Sequence, residues 1–240
     1  MIKNSLKYLL LTVLCSSGLL AQVQVGSPIL GAASGDYFGE NTAINGNGTI
    51  VAGFATMHDS NKGHVRVFQY TPTGNASWTQ MGSDIDGESA NDNGAIENGG
   101  NNIALNLAGN ILAFGSVNDD GTATNAGHVR VFQFISGNWV QMGDDIDGEA
   151  QSDNLGVSVA LSDDGHTIVI GANEHDDDGA SQTGAIYVYT WNGSAWVQKG
   201  SSLHGSANHL FGNDVSVNSN GTIIAGSSRR ASSNKGQVKI

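Results

Sequence analysis

The sequence predicts an all-β chain built from repeated four-stranded units, and three features predict it. The heptapeptide Gly63-His64-Val65-Arg66-Val67-Phe68-Gln69 recurs unchanged as Gly127-His128-Val129-Arg130-Val131-Phe132-Gln133, 64 residues later. Self-similarity at a fixed period is the mark of a repeat architecture. Looser copies follow as Gly184-Ala185-Ile186-Tyr187-Val188-Tyr189 and Gly236-Gln237-Val238-Lys239-Ile240. A second marker keeps the same rhythm: Trp78-Thr79-Gln80-Met81-Gly82, Trp139-Val140-Gln141-Met142-Gly143 and Trp196-Val197-Gln198-Lys199-Gly200 stand 61 and 57 residues apart. Third, the apolar runs are short and β-branched, as at 49–52, 65–68 and 167–170, and turn residues bound each one. With 34 glycines and 2 prolines the chain is rich in turns rather than disordered.

The third unit shows the elements most clearly. Strands are predicted at 157–162, 167–172, 185–191 and 195–199, separated by Asp164-Gly165, a polar loop at 173–183 and Asn192-Gly193. Asn-Gly and Asp-Gly supply the positive φ that tight hairpins need. One four-stranded sheet cannot bury both faces until neighbours stack on it, so the repeat predicts a β-propeller. Its blades fall at about 24–80, 81–141, 142–198 and 199–240, the last incomplete. Gln24-Val25-Gly26 matches the fourth-strand marker Gln141-Met142-Gly143 but has no first three strands before it. The expected arrangement is an open arc of a larger propeller; a self-closed four-blade ring, with the N-terminal segment completing the last blade, is the alternative.

These units resemble the FG-GAP repeats of integrin α-chain propellers and of many bacterial surface proteins. The Phe-Gly element stands as Phe38-Gly39 and Phe211-Gly212, weakens to Leu155-Gly156, and is displaced to Gly99-Gly100 in the second unit. The Gly-Ala-Pro element is reduced to Gly53-Phe54-Ala55, Gly115-Ser116-Val117, Gly171-Ala172-Asn173 and Gly226-Ser227-Ser228. The resemblance covers nearly all of residues 23–240 and implies a propeller with a surface adhesion or binding role. Stretches such as Ser162-Asp163-Asp164-Gly165 also resemble WD40 units, which imply the same fold. In integrin-like repeats a calcium loop lies between the two elements, closed by a late acid. Here that interval holds Ser162-Asp163-Asp164-Gly165-His166-Thr167, too short and without the closing acid, so that site does not carry over.

Residues 1–21 read as a secretory signal, with Lys3 and Lys7 ahead of an uncharged stretch at 8–20 and a small residue, Ala21, at the cleavage point. The stretch is shorter than the about 20 apolar residues of a membrane span, so no transmembrane segment is expected in the mature chain. The only cysteine, Cys15, lies inside the signal, so the mature chain holds together without disulfides. Removing the signal leaves 8 of the 10 Lys+Arg against 22 Asp+Glu, a formal charge of -14. Nucleic acid is excluded as a partner, because the basic surface that neutralises its backbone is missing.

The acidic loops are the candidate sites. Glu174-His175-Asp176-Asp177-Asp178-Gly179 and, one unit earlier, Asn118-Asp119-Asp120-Gly121 cluster carboxylates beside a glycine. Calcium takes six to eight oxygens, so Asp176, Asp177, Asp178, Asn118, Asp119 and Asp120 are candidate calcium ligands, with solvated surface loops as the alternative. The repeated Asp84-Ile85-Asp86-Gly87-Glu88 and Asp145-Ile146-Asp147-Gly148-Glu149 read as turn caps around a buried isoleucine. His64 and His128 become Ala185 and Gln237 in the other copies, which argues against catalysis by either, and Trp78, Trp139 and Trp196 read as packing. The Asn-x-Ser/Thr triplets at Asn47, Asn75, Asn192 and Asn220 coincide with turn signals. No nucleophile elbow, phosphate loop or zinc spacing appears. The resulting expectation is a secreted or cell-surface module, not an enzyme, whose loops contact an extracellular protein or glycan. A glycan-active enzyme and a structural spacer of a longer surface protein are the alternatives.

Overall fold

The computed structural model describes residues 24–72, 77–91, 102–177 and 179–240. Residues 1–21, expected to be a signal, and Asn75, Gly99-Gly100 and Asp178 therefore lie outside the described residues. The rest forms four antiparallel sheets in chain order. The first contains β1 (Asn41–Ile44), β2 (Ile50–Ala55), β3 (His64–Thr71) and β4 (Ser77–Gln80), with the short β5 (Ile85–Asp86) beside the start of β3. The second repeats it with β6 (Ile103–Leu105), β7 (Ile111–Ser116), β8 (His128–Ile135), β9 (Asn138–Gln141) and β10 (Ile146–Asp147). The third contains β11 (Leu155–Leu161), β12 (Thr167–Ala172), β13 (Ala185–Trp191), β14 (Trp196–Gln198) and β15 (Leu203–His204). The fourth contains β16 (Phe211–Val217), β17 (Ile224–Ser228) and β18 (Gln237–Lys239). No helix among the described residues is long and apolar enough to cross a membrane.

The sheets are the four blades of a β-propeller. Their first strands β1, β6, β11 and β16 pack side by side in that order. The hydrophobic core lies between the sheets. Val65, Phe54 and Phe114 fill the first junction, Val131, Ile168 and Tyr187 the second, and Val169, Ile186 and Phe211 the third. This is why strands such as β12 bury every residue: each of their faces meets a neighbouring blade. No strand pairs with the outer edge of β18 among the described residues.

Repeated side chains hold the repeat together. At each first hairpin a polar side chain caps the turn: the Oδ1 atoms of Asn45, Asn106 and Asn218 each accept two amides, and Ser162 Oγ accepts Thr167 N. Glycines 48, 109, 165 and 221 then supply the positive φ that closes the turn. The hairpin tips are bonded blade to blade, through Gly46 N to Leu107 O, Leu107 N to Asp163 O and Asp163 N to Ser219 O. The tryptophans are latches on the outer side. Trp139 Nε1 donates to Met81 O and Trp196 Nε1 to Met142 O, at 2.8 Å each. Trp78 Nε1 donates to Val25 O at 2.9 Å, which places the N-terminal segment against the first blade as the tail of a preceding blade would sit. Arg66, Arg130 and Lys239 repeat the theme, reaching the carbonyls of Leu30, Asp86 and His204.

The two signature glycines acquire a physical reason here. A Cβ on Gly115 would lie 2.2 Å from Gly156 O, and one on Gly171 would lie 2.0 Å from Gly212 O. The glycine of the Gly-Ala-Pro element in one blade thus touches the glycine of the Phe-Gly element in the next. Any side chain would hold the blades apart.

Candidate functional site

Antiparallel pairing puts the first hairpin and the loop between second and third strands at opposite ends of each blade. The second end gathers the chemistry. Each of the first three blades joins three places there: the loop after its second strand, the start of its third strand, and the short strand or the turn before its first strand.

In the first blade these places hold His58, His64 and Asp36. His58 Nδ1 lies 3.0 Å from Asp36 Oδ2, which also accepts the amide of Ala33 at 2.8 Å. The rings of His58 and His64 are 4.0 Å apart between centroids. His64 is 0 % exposed, and neither of its ring nitrogens has a hydrogen-bond partner. Burial, with His58 beside it, moves His64 below its ordinary value, toward the neutral imidazole.

In the second blade His128, 2 % exposed, has Nδ1 3.2 Å from Asp119 Oδ1, while its Nε2 has no partner. Glu88 from the first blade, with Asp119, Asp120, Asp145 and Asp147, joins His128 around a cavity of about 530 Å³. Asp147 sits at the solvent side. The partial burial of its carboxyl, then the charges of Asp145, Asp119 and Glu88, raise it above the usual carboxylate value against the pull of His128.

In the third blade His175 Nδ1 lies 3.2 Å from Asp153 Oδ1, and His204 Nδ1 lies 3.2 Å from Asp177 Oδ2. The two imidazoles are 5.2 Å apart. The Asp153 carboxylate raises His175 above its ordinary value despite burial. Tyr187 is buried beneath His175, and that burial raises its phenol. In the fourth blade the matching places hold His209, Ala231 and Gln237, so the histidine at the start of the third strand and the one after the second strand are both replaced.

The candidate calcium ligands divide. Asp119 and Asp120 enter the cavity of the second blade, and Asn118 precedes them, partly exposed. Asp176 Oδ1 accepts the Gln182 amide at 2.6 Å and so serves its own loop, while Asp177 faces His204. The structure brings Asp119 to Glu88 and His128 and does not bring it to the 176–177 loop. Sequence reasoning passed over Asp36, His58, Asp145, Asp147 and Asp153 as site residues. Superposing the repeats holds the signal that finds them: Asp36 and Asp153 both precede the Phe-Gly element by two residues, and His58 and His175 both follow the Gly-Ala-Pro glycine.

The class defined by these sheets is the β-propeller. Residues 146–189 match the FG-GAP repeat family, from β10 through most of β13. Solved structures are similar to the chain at low identity. A putative TolB from Agrobacterium tumefaciens is 11% identical, with 85% of this chain and 57% of that chain covered and a TM-score of 0.46. The periplasmic gluconolactonase PpgL from Pseudomonas aeruginosa is 11% identical over 83% of this chain and 56% of that chain, TM-score 0.47. The propeller domain of the Trilobed protease from Pyrococcus furiosus, described as having an open velcro topology, is 9% identical over 80% and 48%, TM-score 0.40. The chain thus spans about half the length of these proteins. No curated protein matches it in sequence.

Proposed function

We propose that the chain is an exported binding module whose recognition surface is the histidine- and carboxylate-rich end of the blades. The observation that carries this reading is the cavity of about 530 Å³ between the first and second blades, where Glu88, Asp119, Asp145 and Asp147 converge on buried His128. A rigid scaffold with converging polar groups in a concavity is the usual form of a binding site. The negative lining suits a cationic group, and the formal charge of the whole chain is -12. The three repeated tryptophans, which would be the natural stacking platforms for a sugar, hold the scaffold together, Trp139 and Trp196 by bonds to the preceding blade and Trp78 by a bond to the N-terminal segment. An extracellular protein presenting Lys or Arg is therefore favoured over a glycan. The reading of residues 1–21 as an export signal supports the compartment. An array of extracellular proteins and glycans, probed with the chain and with Asp145→Asn/Asp147→Asn, tests the reading. Binding to basic proteins that weakens with salt and is lost in the double variant supports it. Binding that the double variant retains overturns it.

A second reading rests on Asp147. A carboxyl held above its ordinary value beside other acids has the character of a general acid for glycosidic cleavage. Glycan turnover abolished by Asp147→Asn would establish it, and saturable binding without turnover would remove it.

A further inference from the structure

We propose that Asp36, His58 and His64 of the first blade form a binding site for a divalent first-row transition metal of the zinc type, separate from the acidic cavity of the second blade. One ligand atom from each residue lies within 4.8 Å of the other two. The set is two imidazoles and one carboxylate. Nitrogen-rich sets of this kind suit zinc and its first-row neighbours, whereas calcium and magnesium demand oxygen. Three protein ligands leave a fourth tetrahedral position for water or for a donor from a partner.

His64 carries the argument. A fully buried imidazole with no hydrogen bond at either nitrogen is a costly arrangement unless something else satisfies it. Its ring packs against that of His58. Asp84 Oδ2 stands 3.7 Å from His64 Nδ1. Asp84 is itself held by Gln80 Nε2 at 2.6 Å and by Arg66 Nε at 3.4 Å. That is the place and chemistry of the outer carboxylate that orients a metal-ligating histidine. His58 keeps 28% of its side chain exposed, which gives an ion a way in.

The other blades act as internal controls. The third blade keeps the histidine-aspartate pair as His175 and Asp153 but has Ala185 where the first has His64. The second keeps the buried histidine as His128 but has Asp119 where the first has His58. Among the described residues only the first blade combines both. The left-handed turn that follows His58, with φ 45, 60 and 62 at Asp59, Ser60 and Asn61, recurs at Ser232, Ser233 and Asn234, where Ala231 stands in place of His58. The turn belongs to the scaffold, and the ligands are what is particular to this blade.

The test is calorimetric titration of the full chain with zinc chloride, with cobalt(II) as a spectroscopic probe of coordination. One equivalent of zinc should bind, and cobalt should give the intense visible bands of a four-coordinate site containing nitrogen donors. His58→Ala, at a partly exposed position, should weaken zinc at least about 100-fold, beyond the loss that an outer-shell change causes. His64→Gln should do the same, with circular dichroism confirming that the blades remain folded. His175→Ala and Asp145→Asn/Asp147→Asn should leave zinc affinity unchanged. Absence of saturable zinc binding, or binding indifferent to His58→Ala, overturns the proposal. Zinc binding lost only in the Asp145→Asn/Asp147→Asn variant also overturns it, and would assign the metal to the second blade.

Discussion

Replacing Gly171 by alanine asks the third and fourth blades to move apart. The φ of Gly171 lies outside the left-handed region, so alanine meets no backbone strain of its own. The new Cβ would instead lie 2.0 Å from Gly212 O and 2.5 Å from Ser158 Oγ. Both obstacles belong to the junction, because Ser158 Oγ donates to Gly212 O at 2.9 Å across it. Overpacking costs about 1–3 kcal/mol where side chains can yield, and here one obstacle is backbone. Losing the buried hydroxyl bond adds about 1 kcal/mol. A loss of about 3 kcal/mol is expected, read from urea unfolding followed by tryptophan fluorescence. Gly200→Ala is the control. Gly200 has φ +77 with nothing within 4 Å of a Cβ, so only the left-handed penalty of about 1 kcal/mol applies. Equal losses in the two variants would refute the claim that blade contact is what requires the glycine.

Two further outcomes follow from the same geometry. Trp139→Phe removes the bond from Nε1 to Met81 O but keeps an aromatic ring at the junction, so a loss of about 1 kcal/mol is expected in thermal or urea unfolding. His175 is raised by Asp153, with Glu149 and Asp177 adding to the effect and His204 and Tyr187 packed beside it. A raised histidine contributes stability fully below its unfolded value of 6.5 and loses it as pH rises through the folded value. The stability gap between wild type and His175→Gln should therefore be larger near about pH 5.5 than near about pH 8.5 in parallel urea titrations. A gap independent of pH would remove the Asp153 contact from the account.

The blades were legible because the strands are spelled by repeated words. Thr167–Ala172 and Ala185–Trp191 form strands at the predicted residues, and Trp139 and Trp196 recur because each latches the preceding blade. The short strands escaped notice, since a pair such as Ile85 and Asp86 is too brief to show alternation. Ile85 and Ile146 are nonetheless buried, as the turn-cap reading required of them. The candidate site was harder for a physical reason. Runs such as Asp176-Asp177 are conspicuous in sequence, yet strand and turn geometry sends these neighbours to different partners. The residues that do converge are far apart along the chain. Asp36 meets His64 across a whole hairpin, and Glu88 meets His128 across a blade boundary. The discarding of His64 in later repeats concealed it, because a position that varies between blades can still be particular to one of them.

The measurement that bears most directly on the account compares the two ends of the blades. Asp119→Asn and Asp147→Asn alter the acidic cavity, while Asp164→Asn and His166→Ala alter an exposed hairpin at the opposite end. Affinity for a protein ligand selected from the array would be measured for all four by surface plasmon resonance. If the acidic end is the recognition surface, the two cavity variants weaken binding and flatten its salt dependence, while the hairpin variants bind as wild type does. Binding lost in the hairpin variants and kept in the cavity variants would contradict it.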